Sequence, residues 1–208
     1  LKEKIIFKVT KWTLQNTSRL VFSTTWQRDI FIPAYSLDIS KISIVENYYG
    51  PMEIDIEQTT LDFVASARDL KWKNLSIIRD IFREITEDNS NISLYTDNLP
   101  YKEFMEKIKK SYAVLLVSFG DISPNMILDA IRFGRPFICT KEVGIFDRIK
   151  EVGIFVDPLN KTEIKEAVLR LLDKVEYEKA KDKIRNFSFT HTWSEIGQEF
   201  LDIYKNIN

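Results

Sequence analysis

Two aspartates, Asp121 and Asp129, stand eight positions apart in the stretch SFGDISPNMILDAIRFG, with Ser123-Pro124 between them. Serine is a favoured N-cap and proline fits the first helical position, so a helix is predicted to start at Pro124 and run to Phe133. The N–H groups of Asn125, Met126 and Ile127 would then lack helical acceptors and point out of the helix end. Free donors and the positive end of the helix dipole favour an anion such as a diphosphate. Carboxylates accept hydrogen bonds from hydroxyls, so Asp121 before the cap and Asp129 within the helix suit sugar or ribose oxygens rather than phosphate. The combination is a receptor for a phosphate with sugar hydroxyls beside it. Spacing alone leaves a second reading open, in which Asp121 is an ordinary loop residue and Asp129 a solvated helix position.

Such a site needs a scaffold, and the rest of the chain supplies one. LDFVASA, ISLYT, AVLLVS, PFICT and GIFVD are short apolar runs. Amphipathic stretches at Asn74–Ile85, Tyr101–Ser111, Pro124–Phe133 and Phe146–Lys150 alternate with them, and further helices are expected at Thr162–Asp173, Val175–Arg185 and Trp193–Asn206. Buried strands alternating with helices predict an α/β fold, a Rossmann-like parallel sheet with helices on both faces. Ligands of such sheets sit beyond the carboxyl ends of the strands, near the switch in strand order. Arg68 and Lys73, in the loop after the first strand, are therefore expected to face the helix start at Pro124. Two cations there would clamp a diphosphate, arginine with a planar fork and lysine as a point charge.

The first fifty-odd residues differ. A charged amphipathic stretch to about Asn16 precedes the strand RLVFSTT, a helix near Trp26–Tyr35 and the strand KISIVEN. This helix-strand-helix-strand segment is too short to close a core alone and reads as the last unit of another domain. Three parts are expected: 1–54 as that remnant and connection, 55–190 as the nucleotide-sugar-binding domain, and 191–208 as a terminal helix packing back on the N-terminal segment. Because the chain opens at Leu1 rather than Met, it is taken for a fragment or a processed product.

Composition narrows the classes. The chain has 208 residues, a net charge of −1 and 29% charged residues, with no basic block suited to nucleic acid. No apolar run approaches the length of a membrane span. One cysteine, Cys139, and one histidine, His191, exclude a disulfide framework and a His–Cys metal site. Cys139 lies in PFICT and is expected to be buried and inert; His191 is expected to cap or pack rather than catalyse. A reducing, cytoplasmic setting follows, at most peripheral to the inner face of the membrane. There is no GxGxxG and no GxxxxGK[ST], which argues against dinucleotide and P-loop chemistry.

These motifs together resemble the retaining glycosyltransferases of group 1 (family 4), which have the two-domain GT-B fold. DISPNMILDA (Asp121–Ala130) follows the family's E-G-x-P-N-x-x-L-E-A donor element with Asp at both Glu positions. Ala67-Arg68-Asp69-Leu70-Lys71-Trp72-Lys73 is similar to its G-R-x-x-x-x-K diphosphate loop, and AIRFGRPF (Ala130–Phe137) to its A-x-x-x-G-x-P-V element. Gly153-Ile154-Phe155-Val156-Asp157-Pro158 resembles G-x-x-V-x-P, and THTWSEIGQEFLDIY the terminal helix. Order and spacing agree from roughly Leu20 to the C-terminus.

The resemblance implies the C-terminal, donor-binding half of an enzyme that moves a sugar from a nucleotide diphosphate sugar to a glycan or lipid-linked acceptor, with retention, in polysaccharide biosynthesis. Asp121, Arg68 and Lys73 would do the chemistry: Asp121 on hydroxyls of the donor sugar, the two cations on the diphosphate. Asp129 would hold ribose hydroxyls, and Ser123 with the amides of Asn125, Met126 and Ile127 the diphosphate. The base would rest against Asp97–Leu99, where Asn98 and Leu99 can read its edge. No metal and no further cofactor is required when cations and a helix end stabilise the departing diphosphate. The acceptor would be met through an N-terminal domain outside this chain, so little turnover by the chain alone is expected.

The departures bear on the alternatives. Asp for Glu shortens each arm by about 1.5 Å; Ala67 replaces a glycine, and Asn74 stands where glycine is common, which a helical conformation at 74 would permit. Two other readings stay open, a nucleotide-sugar epimerase and a non-catalytic nucleotide-binding or assembly module derived from a transferase.

Overall fold

The computed structural model describes residues 2–53, 60–65 and 70–207, with backbone only at residue 88. Contacts divide the chain into two compact units, Leu1–Tyr48 with Thr190–Asn208, and Tyr49–Phe189.

The first unit opens with helix α1 (Lys2–Asn16), then strand β1 (Leu20–Phe22), helix α2 (Thr25–Tyr35) and strand β2 (Ile42–Ile44). Thr24 caps α2 by accepting from the Gln27 N–H at 3.1 Å, an ordinary use of a short hydroxyl side chain at a helix start. β1 and β2 run parallel, with Leu20 opposite Ile42 and Phe22 opposite Ile44. Their buried faces meet Leu37, and Leu14, Phe31 and Tyr35 pack around them.

The second unit carries the larger core. Its elements are β3 (Leu61–Ala65), α3 (Leu75–Asp88), β4 (Ile92–Tyr95), α4 (Tyr101–Lys110), β5 (Ala113–Leu116), α5 (Asn125–Arg132), β6 (Phe137–Thr140), α6 (Phe146–Ile149), β7 (Ile154–Val156), α7 (Lys161–Leu172) and α8 (Lys174–Arg185). The five strands form one parallel sheet in the order β4-β3-β5-β6-β7. The expected Rossmann-like sheet is present. Strand side chains alternate between two cores, as the period of two requires. Phe63, Ala65, Ala113, Leu115 and Ile138 face one core with Ile78 and Ile81 of α3 and Val168 of α7. Val64, Val114, Leu116, Phe137 and Cys139 face the other with Ile127 and Ile131 of α5. Burial on both faces explains why these strands read as unbroken apolar runs rather than alternating ones.

Two local features shape the rim where the chain turns. Helix α5 ends in a Schellman arrangement: Gly134 has φ 63°, its N–H donates to Ile131 O at 3.0 Å, and Arg135 N–H donates to Ala130 O at 2.8 Å. Glycine adopts that left-handed conformation without a Cβ clash, so the chain can turn at once into β6. At the other end of the unit, Tyr49 is buried and meets Phe189 edge-on at 4.7 Å, which seats the segment after the boundary in this core.

The chain finishes in the first unit with helix α9 (Trp193–Lys205). Thr192 and Glu195 form a reciprocal capping box at its start. His191 is buried, with Nδ1 3.2 Å from Asn47 O and Nε2 3.3 Å from a Glu199 carboxylate oxygen, and Trp193 stacks on Tyr48 at 5.1 Å. No helix among the described residues is long and apolar enough to cross a membrane.

Candidate functional site

Counted along the sheet, the strands of the second unit run second, first, third, fourth, fifth. The chain therefore reverses its direction of travel between β3 and β5, and the crevice beyond their carboxyl ends is where ligands of such sheets bind. A cleft of about 400 Å³ opens there.

Lys73 reaches it from the loop after β3. A single 3-10 turn, Lys71–Lys73, ends at Asn74, whose φ of 57° and ψ of 31° are left-handed. Asn74 is thus not helical, contrary to the expectation that a helical conformation would excuse its replacing glycine. Asparagine tolerates this region because its short amide can bond locally. Here the amide nitrogen donates to Pro158 O at 2.7 Å and to Val117 O at 3.3 Å, tying α3 to the ends of β5 and β7. The turn is held further by Phe119 N–H, which donates to Trp72 O at 2.8 Å.

Asp121 enters the cleft from the loop after β5. Its backbone is pinned on both sides: N–H to Glu142 O and O from Gly144 N–H, each 2.9 Å. The side chain meets Lys73, with Nζ 2.5 Å from Oδ2. Both side chains are mostly shielded, 14% and 19% exposed, so solvent screens the pair weakly. Arg68, the other predicted cation, lies outside the described residues.

The helix start is shifted by one residue from its prediction. Pro124 is the cap of α5 and Ser123 precedes it; Pro124 has φ −73° and ψ 101°, and no side chain caps the helix. The first turn also tightens. Ile127 N–H donates to Pro124 O at 2.9 Å, and the Ile127 side chain is fully buried beneath the sheet. The expectation that the Ile127 amide holds a diphosphate is therefore corrected: its donor is spent inside the helix, because the cap carbonyl folds back on it. Asn125, Met126 and Ser123 do line the cleft.

Asp129 lines the same cleft one turn further into α5, and is neither sealed away nor fully solvated. Burial pushes its carboxyl up to about 6, against the opposing attraction of Arg132. Asn98 and Leu99 form the wall contributed by the loop after β4. The sequence-predicted residues Lys73, Asp121, Ser123, Asn125, Met126, Asp129, Asn98 and Leu99 thus share one cleft.

Tyr101 and Phe104 of α4 also line it and were missed. Their spacing of three on a helix that follows the Asn98–Leu99 loop is a signal that could have found them. Cys139 is buried, and its apolar surroundings raise the thiol well above its ordinary range. Among the described residues no group of three or more His, Cys, Asp or Glu is placed to hold a metal ion.

The fold recurs in solved structures. HepE of Anabaena in complex with UDP-glucose superposes with a TM-score of 0.75 at 12% identity, covering 96% of this chain and 67% of that one. Sucrose-phosphate synthase from Thermosynechococcus elongatus superposes at 0.73 with 9% identity, over 98% of this chain and 62% of its own. WaaG, a glycosyltransferase involved in lipopolysaccharide biosynthesis, superposes at 0.66 with 16% identity, over 91% and 63%. This chain spans between about half and two thirds of the solved chains it matches; TarM lies at the low end, with 46% of its length covered. At such identities the likeness is one of fold, and the fold is that of the GT-B glycosyltransferases. No family model matches the sequence, and no curated protein matches it.

Proposed function

We propose that this chain is the donor-binding portion of a glycosyltransferase that takes a sugar from a nucleotide diphosphate sugar and transfers it with retention to a glycan or lipid-linked acceptor. One observation carries the reading: Lys73, Asp121, Asp129 and the start of α5 converge on a single cleft at the switch point of the sheet. The complex of HepE with UDP-glucose supports it, as that protein shares the fold and holds a nucleotide sugar.

In this reading the base lies against Asn98 and Leu99, and Asp129 accepts from the ribose hydroxyls. The diphosphate meets the first turn of α5 at Asn125 and Met126, with Lys73 opposite, and Arg68 is assigned the same role. Asp121 accepts from donor-sugar hydroxyls, and its ion pair holds Lys73 in place before any ligand arrives. Transfer breaks the bond between the anomeric carbon and the diphosphate oxygen and forms one to the acceptor oxygen, whose proton leaves with the nucleotide diphosphate. Charge grows on the departing diphosphate, so a fixed cation and helix end bind the transition state more tightly than the ground state. These residues provide that stabilisation without a metal ion, and the reading assigns none.

A thermal-shift series with UDP-, GDP- and ADP-sugars tests the proposal, because a ligand that binds only the folded state raises the melting temperature. The expected result is a shift with one nucleotide class, lost in Asp129→Ala, and little sugar transfer by the 208-residue chain alone. A chain that binds none of the three would refute donor binding; a shift of the same size that survives in Asp129→Ala would remove Asp129 from the site. Release of a free sugar epimer would favour the epimerase instead.

A further inference from the structure

Helix α4 carries Tyr101, Phe104 and Ile108 at spacings of three and four, so the three side chains share one stripe of the helix. Burial falls steadily along it. Ile108 is fully buried in the core that α5 faces, Phe104 is half-buried and packs on the same core, and Tyr101 is 73% exposed. Phe104 and Tyr101 both line the donor cleft, so the stripe runs out of the core onto the cleft wall. We propose that Tyr101 completes the nucleobase seat: its ring lies flat against the base of the nucleotide diphosphate sugar and makes tight binding depend on a base being present. The proposal rests on the donor reading of the cleft.

The position of Tyr101 is fixed by what precedes and follows it. Pro100, the cap residue of α4, has φ −53° and ψ 145°, and the proline ring holds φ near that value. Phe104 N–H donates to Pro100 O at 3.0 Å, which closes the first turn around Tyr101, and the Phe104 side chain anchors that turn in the core. Among the described residues no other aromatic ring stacks on Tyr101. The backbone is set before a ligand arrives, and a tyrosine has only two side-chain torsions to order. Stacking on it therefore carries a small entropic penalty.

The wall around Tyr101 suits a flat, uncharged group. Asn98, Leu99, Tyr101 and Phe104 carry no charge, whereas the charged lining residues Lys73, Asp121 and Asp129 come from the loops after β3 and β5 and from α5. A nucleobase is planar and uncharged near neutral pH, and every base has a π-face that stacks on an aromatic side chain. Tyr101 therefore does not choose among bases. That choice falls to the edge contacts, where the Asn98 amide can both donate and accept. What the ring selects is a nucleotide over a sugar diphosphate that lacks a base.

Calorimetry and NMR of the bound nucleotide test this on the 208-residue chain, with whichever of UDP, GDP or ADP raises its melting temperature. A ring stacked on the base moves the base protons upfield on binding. The expected result is such a shift in the wild type and in Tyr101→Phe, and its loss in Tyr101→Leu and Tyr101→Ala at saturating nucleotide. Affinity is expected to fall about five-fold or more in the leucine and alanine variants and to stay within about two-fold in the phenylalanine variant. Because Tyr101 is 73% exposed, the ligand-free melting temperatures should match the wild type, which separates lost stacking from a damaged fold. Wild-type affinity in Tyr101→Leu, an upfield shift that survives there, or a loss in Tyr101→Phe equal to that in Tyr101→Ala overturns the role of Tyr101 and leaves the donor reading standing. Absence of binding with all three nucleotides overturns both.

Discussion

Lys73 Nζ lies 2.5 Å from Asp121 Oδ2, although the two residues are 48 positions apart. The pair joins the loop after β3 to the loop after β5, the two strands between which the sheet reverses its order. The bridge brings a cation and a carboxylate together in the cleft at the mouth of α5.

Breaking the bridge from one side should harm both fold and site. Lys73→Met leaves the Asp121 carboxylate mostly shielded and unpaired, a loss on the order of 1–3 kcal/mol of stability. It should also weaken nucleotide binding about ten-fold or more by removing a charge on the diphosphate. Urea denaturation and calorimetry read the two effects separately. A Lys73→Met variant that binds nucleotide as tightly as the wild type removes Lys73 from the donor site.

Asp129 makes stability and binding respond to pH in opposite senses. Its carboxyl is raised from 3.8 to about 6 in the folded chain, so the folded state holds the proton more tightly than the unfolded one. That stability is fully present below pH 4 and is lost as pH rises through about 6. Asp129→Asn should therefore stabilise the fold at pH 7.5, on the order of 1–2 kcal/mol, with the gain vanishing near pH 4. With Asp129 accepting from the ribose as proposed, nucleotide binding should weaken in the wild type as pH falls below about 6. Paired denaturation curves and titrations across pH 4–8 check both limbs. A constant difference between wild type and variant over that range contradicts the assignment.

Asn74 combines a left-handed backbone with two hydrogen bonds from one amide, and the two contributions are separable. Asn74→Gly keeps the backbone conformation and loses the bonds; Asn74→Ala loses the bonds and adds strain. The alanine variant should be the less stable by about 1 kcal/mol, and both should fall below the wild type. Chemical denaturation ranks the three, and equal stability of the glycine and alanine variants would show that the backbone conformation matters little there.

Gly153 stands where β7 begins, and a Cβ there would overlap the Phe137 ring in the core beneath the sheet. Phe137 is nearly fully buried, and the Phe155 ring also lies close to where that Cβ would stand. Gly153→Ala should therefore destabilise the second unit by about 1–3 kcal/mol, as overpacked cores do. A melting temperature within error of the wild type would mean that Phe137 can shift rotamer there.

Much of this architecture could be read before any coordinates. AVLLVS and PFICT became the central strands β5 and β6, buried on both faces, since an apolar run that short and that uninterrupted has no solvent-facing side. Gly134-Arg135-Pro136 marked the end of α5 because a helix stop needs a left-handed residue and proline cannot continue. Asp121, Asn98 and Leu99 were legible as cleft residues since each follows the carboxyl end of a strand, and Asp129 since it lies one turn into the helix that comes next.

Other features had no local signature. The start of α5 fell one residue late, and Ile127 N–H turned inward to Pro124 O, because the tight first turn depends on how α5 seats Ile127 against the core. Asn74 took a left-handed conformation under the pull of two carbonyls from distant strand ends. The backbone bonds between Asp121 and the Glu142–Gly144 loop arise only when β6 lies beside β5.

By itself the sequence determined the alternation of strands and helices, a helix opening just after Ser123-Pro124 and most of the residues that line the cleft beside it. Those properties come from periodicity and turn chemistry acting over a few residues. Only the tertiary structure decided that β3 stands between β4 and β5, that Lys73 pairs with Asp121, and that Asp129 is buried enough to retain a proton near pH 6. Strand order and burial depend on which segments exclude water from one another across the whole chain, and no local pattern encodes that.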